Sequence, residues 1–315
     1  MEVLSNLPKP FFVLAPMDDV TDTVFRQIIA TCAAPDLFFT EFVNVDGLQS
    51  PGRDKLLEKL QFSASDQPII AQLWGKNPEN YYKTAKEIVA MGFSGADINM
   101  GCPDKAVMKN GCCAALIDNR QLAGEIIAAV REAVGLHFPV SVKTRVGITT
   151  FDLSWTQFLL EQKLNMLTIH GRTVKELSKV PAHWDMIGEI CSQRSSLSPE
   201  TLIVGNGDVI NRVHGLELAE QYKVDGLMIG RGIFNDPFAF AAKSRWSEFY
   251  KHRRIDLYRR HVLLFARAYG KSKKTHALNK FCKIYINGFD GAKELRERLM
   301  KASTPDELLD MLNKQ

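Results

Sequence analysis

The chain has 315 residues, 45% of them hydrophobic, and a net charge of +4, which is enough length to bury a large core with a smaller unit beside it. No stretch approaches the roughly 20 uninterrupted apolar residues of a membrane span, and the first ten residues lack the basic start and apolar run of a signal peptide, so a cytoplasmic protein without a membrane partner is expected. Six scattered cysteines, with no Cys-x-x-Cys or His-x-x-x-His spacing, argue against a disulfide scaffold and against zinc, and no metal is expected.

Residues 11–17 form an apolar run broken by proline, followed by helical spacing over 22–31 with Asp22 placed as its cap. A second strand-like run, 37–41, ends at Glu41, and helical character returns over 53–60. The third run, 68–72, ends at Gln72, and Pro78 opens a helix to Met91, since proline favours the first helical position. The fourth run, from Gly95, closes on polar Asp97 and Asn99 and turns through Gly101, Cys102 and Pro103. Glycine there permits close backbone approach and proline fixes the exit, so Cys102 stands at the tip of a rigid turn. A helix over 120–134 follows. Runs at 139–143, 166–170, 202–206 and 226–230 complete a set of eight, with helices over 154–162, 184–191 and 212–222 between them.

Eight short apolar runs alternating with helices predict an α/β fold, a (β/α)8 TIM barrel over residues 1–240 whose site forms at the carboxyl ends of the strands. An open doubly wound sheet shares the alternation and is the second architecture to consider. Beyond residue 238 the period is helical throughout, over 254–268, 275–288 and 292–300, with a last helix opened by Thr304 and Pro305. These segments predict a smaller C-terminal helical domain, 241–315.

The strand ends carry Pro16, Met17 and Asp18; Glu41; Gln72; Asn99 with Cys102; Lys143 with Arg145; His170 with Arg172; Asn206, Gly207 and Asp208; and Gly230, Arg231 and Gly232. Each has a structural reading taken singly: Cys102 as a packed small residue, Lys143 as a snorkelling side chain, His170 as a satisfied core histidine. Eight on one rim describe a pocket. The ends of the last two strands are where this fold most often holds a phosphate, and Arg231 adds a fixed positive charge. Lys143 is placed to stabilise negative charge on a ring being reduced, so the parts suit flavin mononucleotide, FMN.

Charge is unevenly spread. From Lys251 to Lys283 there are eleven Lys or Arg against one acid, Asp256, a balance of +10 that leaves −6 for the remainder. A solvated face is the plain reading of such a run. Interleaving with Tyr258, His261, Phe265, Tyr269, His276, Phe281 and Tyr285 gives a composition suited to phosphates and exposed bases together.

Six ordered motifs then resemble one family, the tRNA-dihydrouridine synthases. They are Ala15-Pro-Met-Asp-Asp-Val-Thr-Asp22, Asp97-Ile-Asn-Met-Gly-Cys-Pro103, Ser141-Val-Lys-Thr-Arg145, Thr168-Ile-His-Gly-Arg-Thr173, Gly205-Asn-Gly-Asp208 and Met228-Ile-Gly-Arg-Gly232, with further similarity over 277–281 and 288–296. The resemblance implies reduction of the C5–C6 double bond of a uridine in the D-loop of tRNA, with FMN as cofactor and NADPH as reductant. By it, Cys102 is the catalytic acid that protonates C5 while hydride reaches C6, in keeping with a thiol whose free pKa of about 8.5 leaves it largely protonated at neutrality. Asn99 holds the uracil edge, Arg145 lies near the base or its phosphate, and Lys179 joins the 251–283 helices as a tRNA contact. Pro16, Met17, Asp18, Gln72, Lys143, His170, Asn206, Gly207, Asp208, Gly230 and Arg231 align with flavin contacts. A monomer is expected, because tRNA must cover one face.

Two positions depart from the family pattern, Asp19 and Cys113, each standing where many members have glycine. The adjacent Cys112 and Cys113 are read as small packed residues, and their joint replacement by alanine is expected to keep dihydrouridine formation; a second thiol near the flavin is the alternative. Three other functions fit parts of the sequence. A flavin barrel acting on a small molecule such as a dihydropyrimidine has no use for the basic helices. A Schiff-base aldolase built on Lys143 would be colourless, and a non-catalytic RNA-binding protein would not need Cys102.

Overall fold

A computed structural model describes residues 2–270 and 272–315; Lys271 of the basic cluster lies outside the described residues. Nine strands form one parallel sheet: β1 (Phe11–Leu14), β2 (Phe38–Phe39), β3 (Val43–Asn44), β4 (Ile69–Trp74), β5 (Gly95–Met100), β6 (Val140–Arg145), β7 (Met166–His170), β8 (Leu202–Asn206) and β9 (Gly226–Ile229). Their order is β1-β9-β8-β7-β6-β5-β4-β2, and a parallel bridge from Val13 to Leu37 brings β2 back to β1. The sheet is thus a barrel rather than an open doubly wound sheet.

The second barrel strand is split. β2 pairs with the start of β4 and β3 with its end, Val43 opposite Leu73. Between them Thr40 keeps the ladder, its amide donating to Ile70 O at 3.0 Å and its hydroxyl accepting from Gln72 N at 3.0 Å. The break lets Glu41 leave the sheet at the rim.

Strand residues are buried on both faces, as a parallel sheet under helices requires. Phe11, Val13, Phe39, Ile70, Met166, Val204 and Met228 pack together in one cluster, and a larger one lies between strands and helices. Helices Arg120–Val134 and Arg212–Tyr222 fall where the spacing predicts. Asp22 caps Thr23–Ala33 by accepting from Phe25 N at 2.9 Å, and Pro78 begins Pro78–Ala90.

The C-terminal segments are helical, with one difference: 275–288 is a 3-10 turn, Thr275–Leu278, followed by a short helix, Asn279–Tyr285. The aromatic residues of the basic stretch also differ from expectation. Tyr258, His261, Phe265, Tyr269, Phe281 and Tyr285 are buried, and only His276 of that set is exposed. Helical periodicity explains the separation: within Lys251–Tyr269 the aromatics recur at three- and four-residue intervals and build the core, while Lys251, Arg253, Arg260 and Arg267 face solvent. The stretch therefore offers charge for phosphates, and its rings are not available to stack on bases.

These helices pack on the barrel. Phe25 stacks on Phe281 at 5.1 Å between ring centres, and His261 bonds Tyr285 Oη at 2.9 Å behind it. Lys273 pairs with Asp22 at 3.3 Å, and Lys280 donates to the carbonyl of Asp19 at 2.6 Å. Among the described residues no helix is long and apolar enough to cross a membrane.

Candidate active site

A chain of hydrogen bonds sets the catalytic turn. Asp97, fully buried on β5, accepts from Ser141 Oγ at 2.5 Å and from Gln72 Nε2 at 2.7 Å. The carboxylate can only accept, so it fixes which way the Gln72 amide faces. Gln72 Oε1 then accepts from Asn99 Nδ2 at 2.9 Å, leaving Asn99 Oδ1 to accept from the amides of Gly101 and Cys102, both at 3.0 Å. Burial raises the Asp97 carboxyl to about 6, against the lowering effect of its bonds to Ser141 and Gln72.

Cys102 sits half-buried beyond that turn. Its sulfur is hydrogen-bonded by the thiol of Cys113, and this contact, opposed by burial, lowers the Cys102 thiol to about 7. The Cys113 thiol is pushed upward in return, by the same contact and by its own burial. Cys102 is thus a stronger acid than the largely protonated thiol expected. Cys112 makes a different contact, with the carbonyl of Asn110 at 3.8 Å.

Both glycine departures keep a glycine-like backbone. Asp19 has φ +56° and Cys113 φ +54°, in the left-handed region. Aspartate tolerates it, whereas for cysteine it is strained by about 1–2 kcal/mol.

A cavity of about 530 Å³ opens on the same rim at Lys143, the strand neighbour of Asn99, and Cys102 is not among its lining residues; its volume is within the size range of cofactor sites. It is lined by Pro16, Met17, Lys143, His170, Asn206, Gly207, Asp208, Gly230 and Arg231, nine of the residues expected at a flavin. Asp18 and Gln72 do not line it. Asp18 is half-exposed and paired with Lys59, while Gln72 lies beneath the rim in the chain just described. Arg172, Ser178, Ile210 and Asn235 join the lining. The spacing marked Arg172 as a strand-end residue without a role; the other three lie in loops where nothing in the sequence singles them out.

Lys143 donates to Asn206 Oδ1 at 3.2 Å, and Asn206 Nδ2 donates to Met228 O at 3.0 Å. Burial, with Arg145 nearby, lowers the Lys143 ammonium to about 8, and the charge on Cys102 acts on it in the opposite sense. Thiol and ammonium therefore share one rim. His170 is held neutral, first by burial and then by Lys143, Arg145, Arg172 and Arg231. Its Nε2 faces Arg172 at 3.2 Å, which makes Nε2 the acceptor and places the proton on Nδ1.

The far wall is built for an anion. Gly207 has φ +122°, and a Cβ there would lie 2.6 Å from the Cβ of Ala182; a Cβ on Gly232 would meet the carbonyl of Ile210 at 2.5 Å. The Asp208 carboxylate faces the same cavity with its charge paired to Arg172 and Arg231. Against the effect of its partial burial, Arg172 holds its pKa below the usual range, and Arg231 approaches its other oxygen at 3.5 Å. The exposed Arg231 side chain remains as the charge at the mouth.

Of the expected substrate contacts, Arg145 is buried and donates to Gly101 O at 2.9 Å, Thr173 O at 3.0 Å and Leu177 O at 3.1 Å, so it braces the loops around Cys102. Asn99 is likewise buried and holds the Cys102 turn. Lys179 is exposed, next to the cavity-lining Ser178. Glu41, at the split strand, accepts from Asp19 N at 2.6 Å.

The carboxyl rim of a parallel barrel thus carries a half-buried thiol, Cys102, and a cationic, glycine-lined cavity. The fold matches that of morphinone reductase in complex with tetrahydroNAD, at a TM-score of 0.51 and 14% identity over 75% of this chain and 87% of that one. Residues 13–315 match the family Dihydrouridine synthase (Dus). A probable tRNA-dihydrouridine synthase of Staphylococcus aureus (strain COL) is 45% identical over 314 residues, 98% of this chain and 94% of the relative. A probable tRNA-dihydrouridine synthase 2 of Bacillus subtilis (strain 168) is 46% identical over 313 residues, with the same shares. The chain belongs to the dihydrouridine synthase family, oxidoreductases that form dihydrouridine in tRNA.

Proposed function

We propose that this chain binds FMN in the cavity on the same rim as Cys102, takes electrons from NADPH, and reduces the C5–C6 bond of a D-loop uridine in tRNA, with Cys102 giving the proton to C5. The observation that carries this reading is the half-buried Cys102 thiol on the same barrel rim as Lys143, whose half-buried side chain lines the cavity. The residues fit the cofactor: Arg231 and the backbone of Gly207, Asp208 and Gly230 take the phosphate, while Lys143 and Asn206 meet the ring. What a flavin supplies there when bound is hydride for C6.

The protein's own groups do the rest. Asn99 holds the Cys102 backbone through two amides, so the thiol is placed before substrate arrives. A pKa near working pH suits a group that must release a proton and recover it each turnover. Lys143 keeps positive charge at the cavity floor near neutrality. A stacked uridine cannot reach such a pocket, and extruding it costs a few kcal/mol. The exposed lysines and arginines of 241–315, with Lys179, grip the tRNA phosphates and offset that cost.

Purified protein is expected to be yellow, bleached by NADPH, and reoxidised under nitrogen only on adding unmodified tRNA. Cys102→Ala should keep the colour and the bleaching but lose dihydrouridine formation by about 10²–10⁴-fold. Colourless protein that binds no added FMN would overturn the cofactor assignment, and full activity in Cys102→Ala would overturn the proton donor. Reoxidation by free dihydropyrimidine precursors but not by tRNA would favour a small-molecule reductase.

A further inference from the structure

We propose that Cys102 and Cys113 are a peroxide-oxidisable pair, a covalent modification site at which a hydroperoxide closes the two thiols into an intramolecular disulfide. The Cys113 thiol is completely buried and is the side-chain partner of Cys102, while Cys102 is the half-exposed member. Their backbones are also adjacent: the amide of Ala114, next to Cys113, donates to the carbonyl of Cys102 at 3.4 Å. Two thiols that interact from neighbouring main chains are placed for the short Cβ separation a disulfide needs.

The conformation of Cys113 adds a second argument. At φ +54° a side chain costs about 1–2 kcal/mol that glycine would avoid, and packing alone is a small return for it. What the residue gains is the sulfur's place against Cys102. No other cysteine competes. Cys112 turns to Asn110, and Cys32, Cys191 and Cys282 lie in helices Thr23–Ala33, Trp184–Leu197 and Asn279–Tyr285.

The chemistry balances with the peroxide as oxidant. The Cys102 thiolate attacks one oxygen of hydrogen peroxide and the O–O bond breaks; the sulfur becomes a sulfenic acid, and the departing hydroxide takes up the proton that the thiol had released and leaves as water. Cys113 then attacks that sulfur; the S–O bond breaks, the S–S bond forms, and the hydroxyl departs as water with the Cys113 proton. Two thiols and hydrogen peroxide give one disulfide and two waters. Ionisation of Cys102 near neutrality makes it the attacking thiol. The buried partner intercepts the sulfenic acid before further oxygen can add. Given the reading of Cys102 as proton donor, the oxidised protein still accepts electrons from NADPH but has no proton for C5.

The test uses reduced, desalted, flavin-loaded full chain treated with hydrogen peroxide and then alkylated. Digestion without reductant should yield a linked peptide pair containing Cys102 and Cys113, lighter by two hydrogens. Dihydrouridine formation should fall by about tenfold or more and return with dithiothreitol. In Cys113→Ser and Cys113→Ala, each compared with its own untreated activity, no linked pair should form. Cys102 should gain two oxygens, and dithiothreitol should not restore the loss. Recovery of wild-type Cys102 as sulfinic acid, or linked to Cys112 or to a second molecule while Cys113 is alkylated, would overturn the proposal. Because the linkage is read by mass, its failure is distinct from failure of the proton-donor role, which shows as full activity in Cys102→Ala.

Discussion

Replacing Gln72 by leucine cuts the hydrogen-bond chain between Asp97 and Asn99 at its middle. Two buried bonds go, Gln72 to Asp97 at 2.7 Å and Asn99 to Gln72 at 2.9 Å. The bond to the carboxylate is worth roughly 1.5–3 kcal/mol, and an unsatisfied neutral donor costs roughly 1–3 kcal/mol. The flavin-free variant should therefore lose about 2.5–6 kcal/mol of stability at about pH 8. Asp97 makes that loss depend on pH. Burial has raised its carboxyl to about 6, and Gln72 is one of the groups keeping it from rising further. Without Gln72 the folded-state pKa climbs, while the unfolded chain keeps the ordinary aspartate value of about 3.9. A carboxyl with raised pKa holds its proton more tightly when folded, so the added penalty is present above the folded pKa and fades as pH falls through it. At about pH 5 only the Asn99 share, roughly 1–3 kcal/mol, should remain. Urea unfolding of both proteins at the two pH values measures the difference. Equal losses at both, or a loss under about 1 kcal/mol at the higher pH, would refute the reasoning.

Three more outcomes are open to measurement. Single-turnover rates should fall as pH rises through about 7, where Cys102 loses its proton, and further through about 8 as Lys143 loses its charge; a profile flat across that range would remove both assignments. Gly207→Ala forces a Cβ to 2.6 Å from Ala182 in a left-handed turn, a strain of about 1–3 kcal/mol that should weaken FMN binding about 10- to 100-fold, read by flavin fluorescence titration. Lys274→Glu with Lys283→Glu, both exposed, should raise KM for tRNA and lower the salt slope of binding by about two or more, leaving NADPH bleaching of the flavin unchanged; an unaltered KM would move the tRNA to another face.

The barrel was legible because each strand is a short, mostly apolar run leading to polar or glycine residues, and parallel strands buried on both faces leave that mark. Only the second strand misled, since Val43–Asn44 pairs with β4 after a break that periodicity does not register. Cavity residues could be read where they stand in the closing part of a strand, as Lys143 and Asn206 do. Asp18 and Gln72 were harder: Asp18 lies beyond the end of β1 and turns to Lys59, while Gln72 lies within β4 and turns inward to Asp97. Which way a rim side chain points depends on partners far along the chain. The same holds for the basic helices, where composition gave the aromatics but only helical phase shows that they face inward. Cys113 was visible as a departure from the family; that its sulfur meets Cys102 depends on a left-handed turn that its residue type does not suggest.

The turn around Asp19 ties the two halves of the molecule together. Its amide is held by Glu41 of the barrel and its carbonyl by Lys280 of the C-terminal helices, while Asp22 a few residues on is held by Lys273. Met17, at the start of that same turn, lines the cavity. The helices are thus no interchangeable cartridge. A chimera that grafts another relative's C-terminal segment to redirect the modified position must carry a matching 17–22 segment, or it will disturb the cofactor pocket it was meant to leave alone.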